Sequence, residues 1–186
     1  MKQTKLDNYF DIKFKKKTIL INSKTPNNTP ILCGKINNTS LNKLGSLYSL
    51  SQLSEELPKY VLRFDGASRG NPGKSGAGAV IYYDNKEIWS GSKYLGIQTN
   101  NYAEYYGMII GLQEAIKIKI KILYVEGDSM LIINQMKGLY KVKSENLIEL
   151  HKIAMGLLLS FNNIKFKHIY RNKNARADEL ANESYK

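Results

Sequence analysis

Residues 60–73 read YVLRFDGASRGNPG, and the fold follows from how this stretch is divided. The apolar run 60–64 has the make-up of a buried strand, and the Gly, Asn and Pro residues that close the stretch are turn formers. Asp65 then falls late in a strand, where a rigid sheet holds its carboxylate. Outward from here, residues 78–83 and 86–94 read as two further strands joined by a turn at Asp84 and Asn85. Residues 101–118 place Tyr105, Met108, Ile109, Leu112, Ala115 and Ile116 along one helical face. Residues 121–126 read as a fourth strand, 129–136 as a short helix and 145–161 as a longer one. Residues 164–170 give a fifth strand and 175–185 a last helix. The order βββαβααβα predicts an α/β fold, a five-stranded mixed sheet flanked by helices.

Four acidic residues each stand in a local pattern of their own. They are Asp65 in FDGASRGNPG, Glu104 in TNNYAEYYG, Asp128 in YVEGDS and Asp178 in NKNARADELAN. Taken singly, each reads as a turn residue, a helix cap or a first-turn acid. Taken together they predict a carboxylate cluster drawn from distant parts of the chain. Such a cluster needs a cation, because like charges at close range repel. Oxygen ligands with few nitrogens or sulfurs nearby point to Mg²⁺ or Mn²⁺, and the chemistry such clusters serve is phosphodiester hydrolysis by two metal ions. Glu114, Glu126 and Glu179 lack a comparable pattern and read as surface charges.

Composition narrows the partners. The formal net charge is +12, from 28 Lys and Arg against 16 Asp and Glu, which favours a polyanion such as nucleic acid. Cys33 is the single cysteine, so neither an internal disulfide nor a cysteine-built metal centre is available. The start, MKQTKLDNYF, lacks the apolar core of a signal peptide, and no run of about 18 apolar residues could span a bilayer. The expectation is a soluble intracellular monomer of the cytoplasm, the nucleus or a site of viral replication, with no membrane partner. Residues 22–42 hold six asparagines and two prolines and resemble a flexible, low-complexity segment. The chain therefore divides into an N-terminal extension, 1–57, and a domain, 58–186. Within the extension, the leucines of 41–57 recur at near-helical intervals and read as a short amphipathic helix.

The four motifs, in this order and spacing, resemble those of the type 1 ribonuclease H family, across residues 59–186. The stretch after Asp65, the TNNYAE block and the NKNARAD block are similar to its cellular branch. The resemblance implies hydrolysis of the RNA strand of RNA–DNA hybrids, leaving 5′-phosphate and 3′-hydroxyl ends. It implies that Asp65 bridges two Mg²⁺ ions, with Glu104 and Asp128 completing one site and Asp178 the other. His168 stands ten residues before Asp178, a spacing the family shares. It reads either as a proton acceptor in catalysis or as a structural histidine within its strand. Gly66, Ser68, Asn71, Asn100 and Asn101 match positions that the family sets against the substrate, where the 2′-hydroxyl distinguishes RNA from DNA. Gly70 to Gly73 also serve as a plain turn. The best-known bacterial members carry an extra basic helix, but here 138–144 runs almost directly into the next helix. Lys137, Lys141 and Lys143 are a thin substitute.

The extension begins with a second pattern. Gln3, Leu6, Tyr9 and Phe10 form Q-x-x-L-x-x-Y-F, which resembles the PIP box that binds the PCNA sliding clamp. One helical turn would present Leu6, Tyr9 and Phe10 as an apolar plug. The reading is thus a hybrid endonuclease tethered to a clamp. Two rivals remain: a catalytically silent module of the same fold that binds nucleic acid or protein, and an enzyme of this fold acting on other nucleic acids.

Overall fold

The computed structural model describes residues 10–12 and 59–185. In chain order the elements are β1 (Phe10–Ile12), β2 (Tyr60–Gly70), β3 (Gly73–Tyr83), β4 (Lys86–Gln98), α1 (Asn100–Lys117) and β5 (Ile122–Gly127). Then follow α2 (Met130–Met136), α3 (Glu145–Leu158), β6 (Asn163–His168), a 3₁₀ turn (Arg171–Lys173) and α4 (Ala175–Glu183). The five expected strands form one mixed sheet with flanking helices. Its order is β1-β6-β5-β2-β3-β4, with β2, β5 and β6 parallel and β3 and β4 antiparallel.

Local sequence accounts for the hairpins and the first helix. Asp84 and Asn85 both adopt positive φ, 46° and 63°, as a two-residue turn matched to strand twist requires. Thr99 caps α1, its hydroxyl accepting from the Tyr102 N–H at 3.3 Å. One face of the sheet carries Leu62, Phe64, Ala79, Ile81, Leu123, Val125, Ile164 and Phe166 against α1, α2 and α3. Fully burying one such Leu or Phe side chain contributes about 1.5–3 kcal/mol. The opposite face packs Val80 against Ala177 and Leu180 of α4.

Two differences from the sequence expectation bear on function. First, β2 and β3 extend through the Gly- and Ser-rich stretch, pairing from Asp65↔Gly78 to Gly70↔Gly73. Asp65 therefore sits in the middle of a strand rather than near its end. The small residues that made the segment look like a loop are what let helices come close. A Cβ on Gly107 of α1 would lie 2.5 Å from the Asp65 carbonyl oxygen, and one on Gly66 would meet the backbone of Ala103 and Glu104. On the other face, a Cβ on Gly78 would lie 2.5 Å from the Ala181 nitrogen of α4.

Second, Phe10–Ile12 lies in the segment assigned to the extension, yet pairs with β6, Phe10 opposite Phe166 and Ile12 opposite Ile164. It falls in one compact unit with the domain. An edge strand offers unpaired backbone groups, and a short Phe-Asp-Ile segment satisfies them. Phe10 is thus in extended backbone, not in a helical turn. Gln3, Leu6 and Tyr9, and the helix read over 41–57, lie outside the described residues.

Gly107→Ala is expected to destabilise the protein by about 1–3 kcal/mol, because α1 must lift off β2. Urea unfolding measures this; unchanged stability would contradict the close helix–strand approach.

Candidate active site

The parallel pairing of β2 with β5 ends at Arg63↔Glu126, and beyond it the two strands carry Asp65 and, past Gly127, Asp128. Strand ends of this kind open a crevice in α/β sheets. Across it lies the N-terminal half of α1, pressed onto β2 through Gly66 and Gly107, which delivers Glu104 just past the first turn. One carboxylate oxygen from each of Asp65, Glu104 and Asp128 lies within 4.8 Å of the others. Asp65 and Glu104 are buried and Asp128 is half-buried. The three line a cleft of about 350 Å³ that also includes Gly66, Ser68 and Asn100.

Each carboxylate has few partners. The Gly66 N–H donates to Asp65 Oδ1 at 2.8 Å. Asn100 Nδ2 donates to Glu104 Oε1 at a long 3.5 Å, and Glu104 Oε2 is buried with no hydrogen-bond partner among the described residues. Asp128 Oδ1 accepts from Asn174 Nδ2 at 2.7 Å. Burial pushes the Asp65 carboxyl up to about 8, with Asp128 and then Asp178 adding repulsion and the Gly66 N–H opposing it. Burial, then Asp65 and Asp128, hold Glu104 well above the usual carboxylate range. These groups need positive charge that the protein supplies only thinly. An orphaned buried oxygen and an all-oxygen donor set fit a hard divalent cation.

Asp178 enters from the first turn of α4 and acts on Asp65 electrostatically, but its own Oδ1 accepts from Arg171 Nη2 at 2.6 Å. His168 ends β6 opposite Gly127. Its Nε2 lies 3.0 Å from the Asp128 carbonyl oxygen, which can only accept, so this nitrogen carries a proton. The bond sets the imidazole against the backbone of the Asp128 turn.

The residues expected to meet substrate divide into two groups. Gly66, Ser68 and Asn100 line the cleft. The Ser68 hydroxyl is engaged with Gly70, Ser75 and the Gln98 carbonyl, which braces the β2–β3 hairpin. Asn71 and Asn101 are not among the lining residues. Asn71 Oδ1 accepts the Asn100 N–H at 3.1 Å, tying the hairpin turn to the start of α1.

Sequence reasoning missed three residues. Glu126, read as a surface charge, is buried and accepts from Arg63 Nε at 2.9 Å, because its strand position faces that guanidinium. Arg171 lines the cleft and pairs with Asp178, and Asn174 reaches Asp128. The signal for both was their place inside the block that carries Asp178. His151, also read as a surface residue, is half-buried with its ring edge-on to Tyr105. It lines a second cavity, of about 470 Å³, that contains none of the carboxylates. No helix among the described residues is long and apolar enough to cross a membrane.

Comparison with known proteins places this site in a family. Residues 63–184 match the model described as reverse transcriptase-like. The bifunctional protein Rv2228c of Mycobacterium tuberculosis is 41% identical over 128 residues, covering 68% of this chain and 35% of the relative. The chain thus spans about a third of that relative's length. Among solved structures, RNase H1 from the halophilic archaeon Halobacterium salinarum is 36% identical with a TM-score of 0.65, covering 67% of this chain and 96% of that one. LC11-RNase H1, isolated from compost and solved in complex with an RNA/DNA hybrid, is 38% identical with a TM-score of 0.65, covering 68% and 96%. With this fold, and with carboxylates converging from β2, α1 and the end of β5, the chain belongs to the ribonuclease H-like, reverse transcriptase-like family.

Proposed function

We propose that this protein is a metal-dependent endonuclease that cuts the RNA strand of RNA–DNA hybrids, leaving 5′-phosphate and 3′-hydroxyl ends. The observation that carries the reading is the convergence of Asp65, Glu104 and Asp128 within 4.8 Å in a buried cleft, with Asp178 close enough to act on Asp65. Similarity to LC11-RNase H1, solved in complex with an RNA/DNA hybrid, supports the choice of substrate. Asp65, Glu104 and Asp128, with Asp178 beside them, would hold two Mg²⁺ ions, and Mn²⁺ would suit the same oxygens. When bound, the ions supply Lewis acidity to the attacking and leaving oxygens of the displacement.

The remaining roles belong to the chain. The rigid β2 strand holds Asp65, and α1 holds Glu104, so little reorganisation accompanies reaction. Arg171, paired with Asp178 on the cleft wall, places a positive charge where it would meet the phosphate of the substrate. Backbone at Gly66 and the Asn100 amide line the path of the RNA strand, where a 2′-hydroxyl can be sensed. Ser68, Asn71 and Asn101 serve this path indirectly by fixing the hairpin and the α1 terminus. His168 holds the Asp128 turn. The short link between α2 and α3 supports membership of the branch without a basic protrusion, leaving Lys137, Lys141 and Lys143 to steer the duplex. The peptide Gln3, Leu6, Tyr9 and Phe10 would tether the enzyme to a PCNA-type clamp during primer or hybrid removal, Phe10 exchanging its pairing with Phe166 of β6 for the clamp, and so offset weak intrinsic grip.

Cleavage of a labelled hybrid tests the reading. Mg²⁺-dependent cutting of the RNA strand alone, lost in Asp128→Asn, is expected. A folded wild-type chain that cuts nothing in Mg²⁺ or Mn²⁺ would leave a silent binding module.

Protonation gives a second test. Without metal, folded Asp65 keeps its proton up to about pH 8, whereas unfolded chains lose it near the ordinary value of 3.8. The folded state binds more protons between these limits, so metal-free stability falls as pH rises through that window. In EDTA the Tm should drop from pH 5 to pH 8, and the Tm gain on adding Mg²⁺ should grow over the same range. A pH-independent Mg²⁺ effect, measured by calorimetry, would contradict this.

For the tether, Phe10→Ala should abolish binding to a PCNA-type clamp in titration calorimetry. Wild-type affinity in that variant would remove the peptide from the proposal.

A further inference from the structure

Asn174 is the residue just before α4 and is 1% exposed. Its amide nitrogen makes two hydrogen bonds. One runs to the Phe64 carbonyl oxygen at 2.8 Å, on the residue directly before Asp65. The other runs to Asp128 Oδ1 at 2.7 Å. Its own carbonyl oxygen accepts the Asp178 N–H at 3.1 Å, in the first turn of the helix that Asp178 occupies. One buried residue thus joins the strand of Asp65, the carboxylate of Asp128 and the helix of Asp178. An amide suits this place. Its two hydrogens satisfy one carbonyl and one carboxylate without adding charge to a crowded anionic cleft, and a carboxylate here could donate to neither. Its Oδ1 is buried without a partner among the described residues, so the side chain is held by what its nitrogen grips.

We infer that Asn174 is a positioning residue for the cation site: it orients the Asp128 carboxylate and sets α4, with Asp178, against the strand that carries Asp65. The inference rests on the metal-dependent reading of the cleft. A donor that orients a ligand acts through the ligand, as outer-shell groups do at metal sites, where their loss weakens metal affinity or activity by about 10–100-fold. With Asp128 free to rotate, the cation loses a pre-set oxygen, while the walls that meet the hybrid stay in place. The cost should therefore appear in metal affinity and kcat, and not in KM.

The test compares wild type with Asn174→Ala, Asn174→Asp, Asp128→Asn and the double variant Asp128→Asn/Asn174→Ala, each confirmed folded by circular dichroism. Mg²⁺ affinity is measured by titration calorimetry, hybrid affinity in Ca²⁺ by fluorescence anisotropy, and kcat and KM by hybrid cleavage. Expected for Asn174→Ala is a loss of about 10–100-fold in Mg²⁺ affinity and in kcat, with KM and hybrid affinity within about twofold. Asn174→Asp, of equal size but with no donor, should be no better than the Ala variant. In the Asp128→Asn background, Asn174→Ala should cost little further Mg²⁺ affinity, which a purely structural role would not predict. Wild-type Mg²⁺ affinity and kcat in a folded Asn174→Ala protein would overturn the inference, as would equal losses with and without the Asp128 carboxylate. If Asn174→Ala does not fold, the Asn174→Asp protein, alone and combined with Asp128→Asn, decides by the same criteria. A wild-type protein that neither binds Mg²⁺ nor cleaves the hybrid would instead remove the underlying reading, so the two failures are distinguishable.

Discussion

Mutual repulsion among carboxylates governs the centre of this molecule. Asp65, Glu104 and Asp128 bring oxygens within 4.8 Å of one another in a cleft that buries two of the three groups. Such an arrangement costs free energy unless protons or cations neutralise it. Without metal the structure answers in part with protons, as the elevated Asp65 and Glu104 carboxyls indicate, and in part with Arg171, which takes Asp178. A divalent cation does the same work better, because it satisfies several oxygens at once.

The rest of the fold holds that unfavourable set together. Helix α1 approaches β2 closely because Gly66 and Gly107 have no side chains to hold it off, and this brings Glu104 to Asp65. Helix α4 lies on the opposite face, against β3 over Gly78, and carries an Asp178 close enough to act on Asp65. The large apolar cluster between the sheet and α1 to α3 supplies the stability against which the site is strained. Around the carboxylates, single polar bonds do the fine alignment: Gly66 on Asp65, Asn100 on Glu104, Asn174 on Asp128, and His168 on the Asp128 backbone.

Much of this was legible in the sequence, for physical reasons that differ by element. The helices announce themselves through apolar residues at 3.6-residue spacing, and the Asp84–Asn85 turn through residues that tolerate positive φ. Each of the four acids stands in a recognisable local pattern, so the cluster could be expected before any coordinates. Boundaries failed where tertiary contacts outweigh propensity. The Gly- and Ser-rich parts of β2 and β3 look like loop because they lack the bulky residues of strands, yet their pairing partners hold them extended. Strand β1 was hidden because it depends on the open edge of β6 rather than on its own three residues. The contacts of Asn174 lie 110 and 46 residues away, and Glu126 finds Arg63 at a separation of 63, so no local pattern could announce them.

The central claim is that divalent cations replace protons in the carboxylate cleft. Titration of Mg²⁺ into the metal-free chain at pH 7, in two buffers of different ionisation enthalpy, tests it most directly. The account predicts saturable binding with release of protons, seen as a buffer-dependent heat, that is lost when Asp65 is changed to Asn. Binding with no proton release, or no binding at all to a folded chain, would contradict it.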